Sequence, residues 1–444
     1  MTVKFKKGER KMNAFNKIIG YESIKKELIQ ISDILANIEP YKALGVAVPR
    51  GLLLHGEPGV GKTLMASVII KESGRRAYTC RKDKPNGDFI KSIRKTFTDA
   101  VAAAPSIVFL DDMDKFANGD ERHPDAEEYV TVQSCIDNIK GKDVFVLATA
   151  NNIDNLPGSL LRAGRFDRVI EIEAPTGEDA LNIVSHYMKS KKFVSKVDPE
   201  TVAKMMDGRS CAELETIINE AGLYAGFERS DEITMDHFMK ACLHNIHNIP
   251  IDVLNQVYSP EKSSVRNVIS REIAYHEAGH TVIAELLNPG SVTFISAYSS
   301  QDKHGGFTSV SCDNRVGTEK IYNDIYVSLG GMAAVDMKFG KPDSGNPADL
   351  KRAFRCANNL IEYNCVLGFD LHRNSYDDSD KLKERQENAA AIEVEHCYRK
   401  VKQMLVANSE FLDKVADRIC RRGIVSSAEL SEIKQDCKIL PNAV

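Results

Sequence analysis

Gly51-Leu52-Leu53-Leu54-His55-Gly56-Glu57-Pro58-Gly59-Val60-Gly61-Lys62-Thr63 decides how the first half of this chain is read. The opening Gly-Leu-Leu-Leu-His is a short apolar run, which predicts a buried parallel strand. It feeds directly into G-x-x-x-x-G-K-T, a phosphate-binding loop in its required setting between a strand and a helix. Glycines let backbone N–H groups turn inward around phosphates, and the following helix adds the positive end of its dipole. Gly56, Glu57, Pro58, Gly59, Val60 and Gly61 are therefore read as a nucleotide cradle. Lys62 would neutralise phosphate charge, and the Thr63 hydroxyl would ligate Mg2+.

The flanking chain agrees with that reading. Tyr21 to Ile38 carries helical spacing through Ile24, Leu28, Ile31, Ile34 and Leu35. Ser106-Ile107-Val108-Phe109-Leu110-Asp111-Asp112 is a buried strand closing in two carboxylates, a Walker B pattern. Asp111 is placed to reach Mg2+, and Asp112 to polarise the attacking water. A third strand over Asp143 to Thr149 ends near Asn151, and the chain then runs Leu160-Leu161-Arg162-Ala163-Gly164-Arg165-Phe166-Asp167-Arg168. Arginines in a loop are by default solvated; beside a nucleotide site, Arg165 and Arg168 are candidate arginine fingers. Strands alternating with helices imply a parallel α/β sheet over 14–175. Residues 176–248 read as a small helical lid, and 249–267, with Pro250 and Pro260, as a linker.

The second half, 268–444, turns on Tyr275-His276-Glu277-Ala278-Gly279-His280, an H-E-x-x-H motif in a helical pattern. Residues four apart lie one turn above each other, so His276 and His280 can present two imidazoles to one zinc ion. Glu277 sits beside them as a base for water. Ile273, Val282, Ile283, Leu286 and Leu287 fit a buried helix. Standing alone, the motif could be a chance pair of core histidines. Ile283 and Leu286 stand where a metzincin needs Gly and His, which excludes that class. Spacing does not identify a third ligand: Asp302, His304, Asp313, Glu319 and Asp349 all lie downstream. Asp349 also fits a plain helix start, with Asn346 as cap and Pro347 in the first turn. Ser291 to Tyr298 and Gly306 to Ser311 read as short strands. The rest is mostly helical, over Thr318–Phe339, Pro347–Glu362, Lys381–Val406 and two short helices after Ser409.

Composition bounds the rest. A length of 444 residues suggests two to three domains at ~150 residues each. A net charge of −4 gives no reason to expect nucleic acid or an anionic membrane as partner. The 10 cysteines are scattered without a C-x-x-C pair and read as free thiols in a reducing compartment. No apolar run approaches the ~18 residues of a membrane span, and the Lys-rich stretch 1–13 reads as a solvated tail, not a signal peptide.

The order of these motifs resembles the FtsH family of ATP-dependent zinc metalloproteases, in which an AAA+ ATPase precedes the peptidase. Ser210-Cys211-Ala212-Glu213-Leu214-Glu215, Leu329-Gly330-Gly331 and Gly345-Asn346-Pro347-Ala348-Asp349-Leu350-Lys351 add to the resemblance, which covers Phe15 to the C-terminus. It implies an α/β P-loop AAA+ domain with a small helical lid, followed by a mainly α-helical zinc metalloprotease domain. It implies a ring, usually of six copies, that binds ATP between subunits and feeds protein substrates to a proteolytic chamber. It assigns Asn151 as the sensor residue, and Arg165 and Arg168 as fingers. It sets His186 and Ile19-Gly20 on either side of the adenine, and makes Asp349 the third zinc ligand.

Three departures from the family carry expectations. The spanning segments that precede the ATPase are absent, which predicts a cytoplasmic protein. Asp112 stands where the family has Glu, one methylene longer, which predicts slow ATP hydrolysis. The segment from Arg81 to Ser92 is short, and the aromatic loop that grips substrate is not recognisable there. Either Phe89-Ile90 is the grip, or Asp88-Phe89 precedes a deleted one, with Asn86-Gly87 as the turn before the helix; the second is preferred. A ring without that grip is expected to degrade unfolded or weakly folded proteins. Two further readings stay open. One is a remodelling ATPase with a vestigial peptidase, against which the intact H-E-A-G-H argues. The other is a zinc peptidase on a weakly hydrolysing ring.

Overall fold

The computed structural model describes residues 13–440, except 84–85, 118–125, 163, 195, 259–268, 299–304, 312–316, 342–346 and 374–378. The chain divides into two compact units. One comprises Met1–Lys192 and Gly208–Asn219, the other Phe193–Asp207 and Glu220–Val444.

The first unit is built on five parallel strands: β1 (Gly51–His55), β2 (Arg76–Cys80), β3 (Ser106–Leu110), β4 (Val144–Ala150) and β5 (Arg168–Glu171), in the order β2-β3-β4-β1-β5. The three central strands are apolar because helices cover both faces of such a sheet. Leu52, Leu53 and Leu54 are fully buried, as are Ile107 and Val108. The helices of this unit are α1 (Glu22–Ala36), α2 (Ile38–Ala43), α3 (Lys62–Ser73), α4 (Asn86–Ala102), α5 (Ala126–Asn138) and α6 (Gly177–Met188). Strand register pairs His55 with Ala150 and Leu110 with Ala148, so the carboxyl ends of β3, β4 and β1 lie side by side. In open α/β sheets that edge is where ligands bind. Beyond α6 come α7 (Pro199–Met205), α8 (Cys211–Phe227), α9 (Met235–Asn245) and α10 (Ile251–Tyr258).

The second unit is centred on α11 (Arg271–Leu287), which is buried without a break from Ala274 to Leu286. A helix buried on all sides belongs inside a core. Around it lie β6 (Val292–Ser296), β7 (Phe307–Val310), α12 (Thr318–Phe339), α13 (Pro347–Glu362), α14 (Asp380–Ala407), α15 (Ser409–Arg422), β8 (Ile424–Ser426) and α16 (Ser427–Gln435). The three strands form one antiparallel sheet, ordered β7-β6-β8. The two expected strands are present; β8 interrupts what reads from sequence as two adjoining helices.

Helices α11 and α12 cross at glycines. A Cβ on Gly279 would stand 2.2 Å from the Gly330 carbonyl oxygen, and one on Gly330 2.7 Å from that of Gly279. Only glycine on both sides permits this approach, and it is the physical reason for Leu329-Gly330-Gly331. Among the described residues no helix is long and apolar enough to cross a membrane.

Candidate active sites

The phosphate loop needs backbone conformations that side chains resist: Gly56, Gly59 and Gly61 have φ of 145°, 85° and 101°. Lys62, first residue of α3, donates from Nζ to the carbonyls of Gly56 (2.8 Å) and Glu57 (2.7 Å). Burial lowers its pKa, against the pull of Asp112, Asp114 and Asp111. Thr63 Oγ1 donates to Asp111 Oδ1 at 3.3 Å. Thr149, buried on β4, donates to the same oxygen at 2.9 Å and accepts from the Asp112 amide at 2.9 Å. Asp112 turns away from β3 with φ of 53° and pairs with Lys115 Nζ at 2.7 Å. Arg81, just after β2, stands 3.8 Å from Asp111 and 3.7 Å from Asp112. Asn151 follows β4 at the same sheet edge. The strand ends thus bring together the cradle, both carboxylates and Asn151.

Beside the loop lies a cavity of ≈ 220 Å³ lined by Ile19, Gly59, Val60, Leu64, His186 and Tyr187. Ile19 and His186 therefore share one pocket. Gly20 and Tyr21 both have positive φ, and the Tyr21 amide donates to Asp179 Oδ1 of α6 at 2.6 Å. Asp179 thus fixes the turn that sets Ile19 against the cavity, a role nothing in the local sequence signals.

In the second unit, His276 and His280 project from one face of α11 toward Asp349, in the first turn of α13. Asp349 Oδ2 lies 3.2 Å from each histidine Nε2, and the two Nε2 atoms are 3.0 Å apart. His280 Nδ1 donates to the Val327 carbonyl at 2.6 Å, which leaves its Nε2 lone pair for the cluster. Electron-pair donors this close repel one another unless a cation sits between them. A tetrahedral zinc with bonds of ~2.0–2.1 Å needs ligand atoms about 3.3 Å apart, so the donor set fits that ion closely. Burial opposes ionisation of Asp349, but the two histidines outweigh it and hold the carboxyl well below the usual range. Gly331 makes room for the rings: a Cβ there would stand 2.6 Å from His280 Nε2.

Glu277 is buried, and burial raises its pKa despite the opposing histidines. Thr308 on β7 donates to its Oε2 at 2.9 Å. A Cβ on Gly306 would stand 2.8 Å from Glu277 Cγ, so glycine is needed there as well. Glu277, His280 and Asp349 open into a cleft of ≈ 560 Å³ between β7 and α12.

Three family models match successive parts of the chain: the ATPase family associated with various cellular activities over residues 52–174, the AAA+ lid domain over 196–240, and peptidase family M41 over 264–433. Curated relatives match across nearly the whole chain. The ATP-dependent zinc metalloprotease FtsH 3 of Petrotoga mobilis is 29% identical, covering 95% of this chain and 69% of its own. The ATP-dependent zinc metalloprotease FtsH 2 of a Thermoanaerobacter species is 28% identical, covering 96% and 84%. The chain belongs to the FtsH family of AAA+ zinc metalloproteases. It is thus similar to enzymes that couple an ATPase to an M41 peptidase, and its His-His-Asp cluster could hold the metal.

Against the FtsH pattern, four sequence readings meet the structure differently. Glu319 is not in the metal cluster, while Asp302, His304, Asp313 and the Asn346 cap lie outside the described residues. Phe89 is fully buried, edge-to-face on Phe116 with centroids 5.1 Å apart, so it is core and not a surface grip. Helix α4 begins at Asn86, so Asn86-Gly87 open the helix instead of forming a turn before it. Arg165 is turned inward onto Asp137 of its own chain, with Nη2 to Oδ2 at 2.7 Å, whereas Arg168 is exposed at the start of β5.

Proposed function

We propose that this chain is an ATP-dependent zinc endopeptidase that acts, as a ring of like subunits, on unfolded or weakly folded proteins. The observation that carries the reading is the convergence of His276, His280 and Asp349 around one point, with Glu277 in the adjoining cleft, on a chain that also bears a complete phosphate loop. His276, His280 and Asp349 would hold zinc, which when bound supplies Lewis-acid activation of water and of the scissile carbonyl. Glu277 accepts the water proton and returns it to the leaving amine; its burial suits a base that must also act as an acid. Strand β7 is an edge strand, so a substrate can pair its backbone there as one more strand, running extended past Glu277.

In the first unit, the loop 56–61 with Lys62 holds the ATP phosphates, and Ile19, Gly20 and His186 bound the base. Thr63 and Asp111 are the groups for Mg2+, Asn151 senses the nucleotide, and Asp112 orients water. The loop with Arg165 and Arg168 faces the nucleotide of the next subunit. We assign these functions to 14–175 with the lid 176–248, joined through 249–267 to the peptidase of 268–444.

One observation favours a second reading, a peptidase on a weakly hydrolysing ring. Asp112 is already paired with Lys115. Casein degradation with ATP, with ADP and without nucleotide, together with zinc content, separates the two. Degradation strictly dependent on hydrolysable ATP supports the first; equal rates with ADP support the second. A stable fluorescent domain bearing a disordered tail tests the substrate class. Rapid ATP-dependent loss of its fluorescence would show a ring that unfolds stable domains.

A further inference from the structure

Strand β7 supplies a partner to Glu277, yet it is four residues long and, among the described residues, pairs with β6 alone. Successive side chains of a strand point to opposite faces. Thr308 faces α11: its hydroxyl donates to Glu277 Oε2 at 2.9 Å and lies 3.1 Å from the Glu277 carbonyl oxygen. Its register partner Ile295 is buried in the core that contains α11. Phe307 and Phe294 lie on the other face, with ring centroids 5.8 Å apart and planes at 84°. His247 stacks on Phe307, with centroids 4.0 Å apart and planes at 19°, and meets Phe294 edge-on at 5.3 Å. All of these residues belong to the second unit.

The turn after α9 fixes His247 in its place. Asn248, the next residue, has φ of 51°, a left-handed conformation that asparagine adopts more readily than most side chains. Ile249 is fully buried and bound back to α9 at both ends of its backbone. Its amide donates to the Leu243 carbonyl at 3.1 Å, and its carbonyl accepts from His244 Nδ1 at 3.0 Å. His247 is therefore presented from a fixed point, where the sequence reads the change from lid to linker. A hydrogen bond of 2.9 Å is lost once the strand backs away by ~0.7 Å, since 3.6 Å is no longer a bond. With one neighbouring strand, β7 depends on cross-strand and facing side chains to resist such a shift.

We propose that His247 is a positioning residue for peptide cleavage: stacked on Phe307, it sets the height of β7 at which Thr308 holds Glu277. This rests on the reading of Glu277 as the base of the peptidase. His247 belongs neither to the metal cluster nor to the lining of the cleft, and it acts on Glu277 only through the strand.

The test is cleavage of a short unstructured fluorogenic peptide by the zinc-loaded chain, with hydrogen exchange of the 307–310 amides as a second readout. His247→Ala should lower kcat by roughly tenfold at unchanged zinc content, because misplacing a catalytic group by ~1 Å can cost up to 10²-fold. Exchange should quicken in β7 and stay as it is from Ala274 to Leu286. His247→Phe keeps a flat ring on Phe307 and should recover most of the loss in both readouts. Thr308→Val should cost at least as much as His247→Ala, and the double variant should be no worse than Thr308→Val, because both act through one contact. Wild-type kcat in zinc-loaded His247→Ala would overturn the proposal, and so would a His247→Phe variant as slow as His247→Ala. If His247→Ala fails to fold, Phe307→Leu, which keeps bulk but ends the stack, takes its place. If the unaltered chain cleaves no peptide, the peptidase reading falls by itself. Exchange then decides about His247 alone: unchanged protection of β7 in His247→Ala overturns its role, and faster exchange upholds it.

Discussion

In the second unit, His276, Glu277 and His280 sit on one buried helix, with Val327 fixing His280 and Thr308 fixing Glu277, and Asp349 meets the two histidines from the first turn of α13. In the first, Lys62 opens α3, while Asp112 and Arg165 lie on loops. Lys62 donates to backbone carbonyls of its own phosphate loop, and Asp112 and Arg165 are engaged with local counter-charges. The metal cluster keeps its donors pointed at one place because the packing of α11 against α12 leaves no alternative. The nucleotide site must exchange contacts within the chain for contacts to a ligand. The donors of the peptidase unit are preorganised, whereas the nucleotide site of the other unit starts from an Asp112 already paired with Lys115.

The largest expected effect follows from that preorganisation. Glu277→Gln keeps shape and metal ligands but removes the base, so peptide cleavage should fall by roughly 10²–10⁴-fold with zinc retained. His280→Ala and Asp349→Ala should lose zinc as well as activity. Metal analysis of the three purified variants separates base from ligands; full zinc affinity in Asp349→Ala would mean that another residue is the third ligand.

Next in size is Phe89→Ala. Deleting a fully buried aromatic ring costs about 3–5 kcal/mol, so urea unfolding of the ATPase unit should shift by that amount. Unchanged stability with slower degradation of a folded substrate would return Phe89 to the pore. Asp112→Glu comes third. The longer side chain should move the carboxylate toward the water position, and correcting a misplacement of ~1 Å can gain up to 10²-fold in ATP turnover. No gain would indicate that Thr149, Lys115 and Arg81 have adapted the site to Asp.

How much of this could be read in advance depended on the distance over which each signal acts. The phosphate loop and the H-E-x-x-H helix are local: a strand, a turn and an i, i+4 spacing specify them. Asp349 lies 73 residues from His276 and is brought to it only by the crossing of α11, α12 and α13. Spacing therefore left five candidates. Gly306 and Thr308, which shape the position of Glu277, sit just before and within a short strand whose pattern shows no chemistry. The strand β8 has three residues, too few for a period. Phe89 could be read either way, because an aromatic near a helix start serves a core or a pore equally well until burial is known. The pairing of Arg165 could not be read for a similar reason: its partner Asp137 is 28 residues away and carries no motif.

The finest test of the comparison removes one hydroxyl from each site. Thr149→Val is nearly isosteric and stays buried on β4, but it releases both Asp111 and the Asp112 amide. Each hydrogen bond contributes on the order of 1 kcal/mol, and both act on groups that must be aligned for hydrolysis. ATP turnover should therefore fall by roughly tenfold, together with a stability loss of about 1–2 kcal/mol. Ser270→Ala deletes the cap at the N-terminus of α11, where its side chain accepts from the Glu272 amide. Loss of a cap costs about 1 kcal/mol, so here too stability should fall. Cleavage per zinc-loaded subunit should not, because the buried face from Ala274 to Leu286 still holds His276, Glu277 and His280 in place. Equal losses of activity and stability in both variants would show that the two sites are held in the same way. A drop in zinc-normalised cleavage for Ser270→Ala alone would place the weak point of the peptidase at the start of its metal-binding helix.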